Sequence, residues 1–469
     1  MLGRLCPIAV NNLLRLLLVA AIVVTLRDPA FAQTDGRAGG PGGSGPGGGG
    51  QAGTGPAGAT PGLFGRDIRT NARTLLDLSA SVTEGYDSDV PRQFRSTIDP
   101  TNVQGGGMTT LFNAGAYYAW RRNKTQVGAN ASSFLRHYAE LGQLRSVGHS
   151  AGLGMTTQTL GTTMLSLNQS AAYSPTYLYS LFPGNADVRP GDPGTTAPDY
   201  LVSNSNSYVY TSTLALAHRV GRRGTVTATG AYEYTDRLKE TPTWKDISSY
   251  NLRGQFSRNA TRNTAFSVTG SYRSGEFGYG GNGLTTEVGV DVGADFAKAL
   301  SASRRATLGV RIGVTSADYP GNDLGIGFVR QYRGAGQATL TYPFTHTWGV
   351  IAYAKRGMEY IAALPTPVFA DAVSVSVNGL VTRRMDVTAS AAYSSGESLL
   401  KRDGLIYDTY TGDLRFRYAV SRTWAIYGEY LYYYYDFRGS IQLLAGMPSG
   451  LERSGARAGV MLWMPALRR

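Results

Sequence analysis

The chain of 469 residues has a single cysteine, Cys6, so no disulfide framework can hold it together. Charge is scarce too. Asp, Glu, Lys and Arg make up 16% of residues, against about 25% in an ordinary soluble domain. Only one apolar run approaches the ~20 residues that a membrane-crossing helix needs, and it lies at the extreme N-terminus. Together these shortages exclude a disulfide scaffold, a charge-rich helical protein and a polytopic helical membrane protein. Histidine is rare as well. His137, His149, His218 and His346 are scattered over separate segments with no metal-ligand spacing. No catalytic motif, metal site or cofactor is expected, and the chain is read as a non-enzyme. What the sequence does have is 61 Gly, 30 Tyr and much Ser and Thr. That composition points to a large all-β protein of the membrane.

The first 32 residues read as an export signal. Arg4 and Arg15 precede the apolar core Leu16 to Val24, and Ala30-Phe31-Ala32 offers a cleavage site before Gln33. Cys6 lies ahead of the apolar core, which argues against lipoprotein processing. Residues 33–66 form a Gly/Pro-rich linker, with runs such as Gly39-Gly40-Pro41-Gly42-Gly43. Such a stretch buries too little apolar surface to offset its chain entropy and is expected to be disordered. A spacer and a tether to a periplasmic partner both fit it. The barrel is expected over 67–469.

From about Asn71 onward the hydrophobic period is two. In Thr307 to Thr315 the apolar residues fall at Leu308, Val310, Ile312 and Val314. Glu287 to Phe296, Ser374 to Val381, Thr225 to Tyr234 and Ala265 to Arg273 alternate likewise. Strict alternation gives a strand with one apolar and one polar face. Many apolar-face residues are Ala, Val and Gly, and the polar face carries ionisable groups. That fits lipid outside and water inside.

The connections alternate in length. Short ones recur at Arg121 to Lys124, Leu160 to Thr163, Gly221 to Gly224, Asn259 to Asn263, Ser301 to Ala306, Phe344 to Thr347, Thr382 to Arg384 and Ser421 to Thr423. Longer ones intervene: Asp87 to Gly106, Ser174 to Asn206, Thr235 to Asp246, Gly275 to Leu284, Ala317 to Gly327, Met358 to Pro367, Ser394 to Gly404 and Phe437 to Gly450. Only the long-side connection near Ala139 is brief. Outer-membrane barrels have short periplasmic turns and long outer loops. The expected architecture is therefore a transmembrane antiparallel up-and-down β-barrel of about eighteen (16–18) strands, with both ends periplasmic. Trp120, Trp348 and Trp424 sit beside short turns. Tyr232, Tyr272, Tyr393 and the run Tyr430 to Tyr435 sit toward the far strand ends. These are expected to form the two interfacial girdles.

Two repeated units, Val381-Thr382-Arg383-Arg384-Met385-Asp386-Val387-Thr388-Ala389-Ser390-Ala391-Ala392-Tyr393 and Val420-Ser421-Arg422-Thr423-Trp424-Ala425-Ile426-Tyr427-Gly428-Glu429-Tyr430, resemble the β-barrel porins of the "porin 2" type. The resemblance covers roughly Asn71 to Arg469. It implies a Gram-negative outer-membrane channel, of a kind often encoded beside polysaccharide synthesis and export proteins. One departure concerns the C-terminus, where many such barrels end in an aromatic residue read by the assembly machinery. This chain ends Trp463-Met464-Pro465-Ala466-Leu467-Arg468-Arg469. Either the last strand stops near Trp463 with a short tail, or the insertion signal is unusual.

Parity places Arg136, Arg253, Arg273, Arg311, Arg333, Lys355, Arg415, Arg417, Arg453 and Arg457 on the polar face. Glu233, Glu287, Asp291, Asp295, Asp413 and Glu429 share it, so basic groups are expected to be in excess there. Of the 45 basic residues only Lys124, Lys239, Lys245, Lys298, Lys355 and Lys401 are lysine. The rest are Arg, whose fork grips carboxylate or phosphate at two points. Positive groups in a pore favour anions; the same groups paired with lumen acids would only brace the wall. Three functions follow as expectations: export of anionic or neutral polysaccharide, an anion-preferring small-solute porin, and a structural or adhesive surface barrel. The implied partners are outer-membrane lipid, the assembly machinery and periplasmic polysaccharide export components. The export signal makes nucleic acid a poor partner despite a net charge of +13.

Overall fold

The computed structural model describes residues 73–91, 104–139, 144–159, 161–174, 207–237, 246–276, 284–301, 305–320, 328–359, 368–398, 405–438 and 450–468. The expected export signal (1–32) and linker (33–66) lie outside these residues, as does most of the expected loop Ser174 to Asn206.

The strands are β1 (Thr74–Pro91), β2 (Gln104–Arg122), β3 (Thr125–Tyr138), β4 (Leu144–Gln158), β5 (Thr163–Ser174), β6 (Ser207–Val220), β7 (Gly224–Arg237), β8 (Ile247–Asn259) and β9 (Thr264–Glu276). They continue as β10 (Leu284–Ala299), β11 (Arg305–Pro320), β12 (Phe328–Tyr342), β13 (Trp348–Glu359), β14 (Val368–Thr382), β15 (Met385–Ser398), β16 (Leu405–Ala419), β17 (Trp424–Phe437) and β18 (Gly450–Arg468). Each pairs antiparallel with its neighbours in sequence, and β1 also pairs with β18. The result is a closed, 18-stranded up-and-down barrel with no free edge. The short turns gather at one rim and the longer connections at the other. The strand number is even, so β1 starts and β18 ends at the short-turn rim.

Register carries side-chain parity around the whole cylinder. Val292 faces Ile312, Val310 faces Ala338, Leu340 faces Ala352, and Ile426 faces Val460, which faces Val82. These residues form one exposed apolar surface, with Ile312 63% exposed and Val290 59%. Large hydrophobics that remain exposed on the outer face of most strands are what lipid contact requires. With every strand paired on both sides, the backbone polar groups within the wall bond internally. The chain is an integral outer-membrane β-barrel.

The outer face bears aromatic belts. Tyr173, Tyr208, Tyr210 and Tyr234 follow one another at centroid distances of 5.1, 6.3 and 6.3 Å. Tyr232–Tyr250 and Tyr393–Tyr410–Tyr434 extend this belt on the long-loop side. Tyr272 pairs with Val288 and Leu252, also outside. At the short-turn side lie Trp120, Trp348 and Trp424. Trp348 lies over Gly379, its cross-strand partner, and Nε1 donates to the Leu380 carbonyl at 2.9 Å. A Cβ at 379 would collide with the indole, so glycine there seats the ring.

Three details differ from the sequence expectation. Only the even-numbered members of Tyr430 to Tyr435 face outward. Tyr433 and Tyr435 face inward and are buried, because successive strand residues take opposite faces. Tyr430 is outside but sits mid-strand in β17. The final strand does not stop near Trp463: β18 continues to Arg468, where closure against β1 keeps it paired. A bulge at Leu76/Asp77, opposite Pro465, takes up the missing proline N–H. Finally, β1 and β2 run on to Pro91 and from Gln104, so they project well into the stretch read as loop.

The lipid face and the inner face should respond differently to charge. Val310→Arg is expected to destabilise the barrel by about 2–4 kcal/mol if it lies near the midplane. Thr307→Gln, three residues earlier on the inner face, should cost far less. Urea unfolding of each variant in phospholipid vesicles checks this; equal losses would contradict a lipid-facing Val310.

Candidate functional site

Among the described residues, the inner wall is where polar chemistry is concentrated between the belts. Arg136 (β3), Arg253 (β8), Arg273 (β9), Arg311 (β11), Arg333 (β12), Lys355 (β13), Arg415 and Arg417 (β16), and Arg453 and Arg457 (β18) occupy inward positions of the alternation. So do Glu233, Glu287, Asp291, Asp295, Asp413 and Glu429. The register adds Asp77, Asp87, Glu359 and Asp386, which pair opposite inward residues of neighbouring strands. Away from the short-turn rim ten bases face ten acids inside, and Arg121 on β2, Arg219 on β6 and Arg305 on β11 add further basic groups to inward positions at that rim. Sequence parity alone missed Asp87 and Asp386 because each sits near a strand end beside a turn or loop.

The charges are not spread evenly. One connected group spans the seam where the first and last strands meet. Arg453 donates Nη2 to Asp87 Oδ2 at 2.7 Å, and both side chains are 2% exposed. Arg457 Nη2 lies 3.6 Å from Asp87 Oδ1. Arg136, three strands from β18 around the wall, stands within electrostatic reach of the same cluster and contacts Tyr138. On the β16 side, Arg417 forms a two-point pair with Asp386, again fully buried. Arg415 lies 4.0 Å from Glu429. Thr83 of β1 and Tyr427 of β17 hydrogen-bond across the interior, bypassing β18. Tyr138, Tyr407, Leu431, Tyr433, Tyr435 and Phe437 pack among these groups and are buried.

That network revises the roles expected for Arg415 and Arg417. Their partners are Glu429 and Asp386, whereas Asp413 is engaged by Ser390. Strand neighbours two residues apart share a face but not a partner. The directly opposed residue across the ladder wins, here Asp386 against Arg417 and Glu429 against Arg415.

A second group lies on β8 to β13. Arg253 interacts electrostatically with Asp291 and Arg311. Glu287 accepts from Thr315 Oγ1 at 2.8 Å, and Lys355 pairs with Glu359. Arg333 holds its guanidinium carbon 5.9 Å from the Phe369 ring centroid.

Between these groups the inner wall is uncharged. From Gln126 to Phe134 on β3, Gly148 to Gln158 on β4, Met164 to Ala172 on β5, Thr211 to Ala217 on β6 and Thr225 to Ala231 on β7, no inward position is ionisable. Small hydroxyl and amide residues dominate. Ser132 and Ser150 share a hydrogen bond of 2.8 Å, and Thr156 and Ser166 one of 3.2 Å. None of the inward side chains from Ser150 to Gln158 or from Met164 to Ala172 is buried. The interior thus has a packed, ion-paired side and an open, neutral side.

At the long-loop end, charge returns on the outer face. Arg330 forms a two-point pair with Asp318 at 2.7 Å. Arg438, just beyond β17, donates to Asp436 and lies 2.8 Å from Asp408, and these two carboxylates raise its proton affinity above that of a free guanidinium. Among the described residues, no group of three or more His, Cys, Asp or Glu could hold a metal ion.

The seam network makes a structural prediction. Arg417→Ala leaves Asp386 charged and buried, and removing one partner of a buried pair costs about 3–5 kcal/mol. The folded band on a heat-modifiability gel should weaken and the urea midpoint fall. The double change Arg417→Met with Asp386→Leu should recover most of that loss. Arg253→Ala, on the second group, should leave the midpoint within error.

No protein-family model matches the sequence, and no curated protein matches it. Several solved outer-membrane proteins are similar in fold. OccK11 (OpdR) of Pseudomonas aeruginosa is 10% identical with a TM-score of 0.39, over 84% of this chain and 96% of its own. OccAB3 of Acinetobacter baumannii is 8% identical with a TM-score of 0.42, over 84% and 99%. The ferric-catecholate import receptor Fiu of E. coli is 11% identical with a TM-score of 0.40, over 84% and 82%. The closed barrel described above rests on its own strand pairing.

Proposed function

We propose that the protein is a passive outer-membrane channel for small polar solutes, with a weak preference for anions. The observation that carries this reading is the open, neutral wall on β3 to β7, facing the ion-paired side. A solute moving along Ser, Thr and Asn side chains exchanges water hydrogen bonds for equivalent ones and meets no deep electrostatic trap. Several weak contacts in series permit passage, whereas one tight site would hold the solute. Arg253 on β8 flanks this wall, Arg333 lies farther around on β12, and both supply the anion preference. Ion pairing elsewhere keeps it small, because an acid beside a base cancels the field a few ångströms away.

Polysaccharide export is the second reading. The resemblance to "porin 2" barrels motivates it, and the same hydroxyl- and amide-lined wall suits sugar hydroxyls. A structural or adhesive barrel is the reading that both transport hypotheses oppose.

Planar bilayers separate them. The purified barrel should give stepwise conductance, and a salt gradient should give a reversal potential slightly on the anion side. Arg253→Glu with Arg333→Glu should move that potential toward cations while the barrel stays folded. Ser150→Trp with Asn168→Trp should lower conductance by narrowing the neutral side. A folded barrel without conductance would sink the channel reading. Export predicts instead that deleting the gene abolishes surface polysaccharide and leaves small-solute permeability intact.

A further inference from the structure

Charge is segregated along the barrel axis as well as around it. The short turns read Arg121-Arg122-Asn123-Lys124 between β2 and β3, Gly221-Arg222-Arg223 between β6 and β7, and Thr382-Arg383-Arg384 between β14 and β15. No short turn carries an acidic residue. The opposite end is mixed, with Asp318, Asp371 and Asp408 on its outer face.

The decisive detail is on the outer wall just inside this basic rim. Three strands repeat one pattern: an outward aromatic residue, then a cation two positions nearer the rim on the same face. They are Trp120 then Arg122 on β2, Phe256 then Arg258 on β8, and Phe296 then Lys298 on β10. Phe256 and Phe296 are exposed, as are all three cations. Two strand residues advance about 6.5 Å along the strand. An aromatic ring at the edge of the hydrocarbon therefore puts the following cation at the depth of lipid phosphates.

We propose that this rim binds the headgroups of anionic phospholipids in the leaflet on the short-turn side. The outward direction of Arg122, Arg258 and Lys298 selects lipid over a soluble polyanion. A polymer beneath the membrane would meet the turn tips, whereas these three side chains point away from the pore axis into the surrounding leaflet. Their placement on separated strands also suits a partner that surrounds the barrel. Arginine at two of the three positions fits two-point contact with phosphate.

The test uses the full barrel in phosphatidylcholine vesicles containing trace spin-labelled phosphatidylglycerol or spin-labelled phosphatidylcholine. The motionally restricted fraction reports each lipid's relative association. Phosphatidylglycerol should associate about threefold more strongly than phosphatidylcholine, a modest effect for several cations at headgroup depth. The ratio should fall toward one in molar salt, where the Debye length is about 3 Å. Arg122→Gln with Arg258→Gln and Lys298→Gln should lower it toward one in low salt, with the folded band retained. Arg330→Gln, at the other end, should leave it unchanged. A parent ratio near one, or one unmoved by salt, overturns the proposal without any variant having to fold. So does loss of the ratio in the turn-tip variant Arg222→Gln/Arg223→Gln/Arg383→Gln/Arg384→Gln but not in the outer-face triple. That result would assign the headgroup contact to the turn tips and not to the outward side chains.

Discussion

A barrel of this kind holds only if its first strand finds its last, and here the join depends on one carboxylate. Asp87 on β1 receives Arg453 and sits beside Arg457, both from β18. Taking these ions out of water costs several kcal/mol each, and only good geometry returns it. Removing one partner leaves the others buried and charged, so the cluster favours the closed pairing over any open or slipped sheet. The inward tyrosines of β16 and β17 surround these ions and the Arg417–Asp386 pair with apolar volume, which shields them from water and strengthens each contact. Much of the rest follows from this join. The closed ladder satisfies the backbone within lipid, and the bulky network fills one side of the interior, leaving the other side to solvent.

These two parts of the wall thus divide stability from permeability. On β15 to β18 and β1, with Arg136 at the end of β3, long side chains lock neighbouring strands. On β4 to β7, short hydroxyl side chains leave volume, and strand pairing carries stability there. Mutations that alter conductance and mutations that unfold the barrel should map to different strands for this reason.

Much of the fold was legible in sequence because a strand's period of two converts spacing directly into facing. Leu308, Val310 and Ile312 announce a lipid face without any knowledge of their neighbours, and the short turns at Gly221 and Thr382 announce the reversals. Partnership was not legible. Asp87 and Arg453 are 366 residues apart, and nothing local to either identifies the other. The Arg417–Asp386 pair spans 31 residues, but recognising it requires the register across a hairpin, not parity within a strand. The neutral wall was visible as Ser-, Thr- and Gly-rich strands, yet its meaning depends on where the charged strands stand around the cylinder. The tyrosine run of β17 shows the same limit, since it serves the girdle with one parity and the interior with the other.

The ladder between β12 and β13 is shorter than its neighbours, running only from Gly336–Arg356 to Tyr342–Val350. Toward the long-loop end, β12 keeps β11 on one side, with pairs continuing to Pro320–Phe328, but has no matching ladder to β13. Interstrand hydrogen bonds are what hold a cylinder against sideways tension. The hoop is therefore thinnest here, toward the long-loop rim and several strands from the charged closure. Under lateral membrane stress the wall should part first along this line, and the amides of β12 above Gly336 should exchange with solvent ahead of the rest of the barrel.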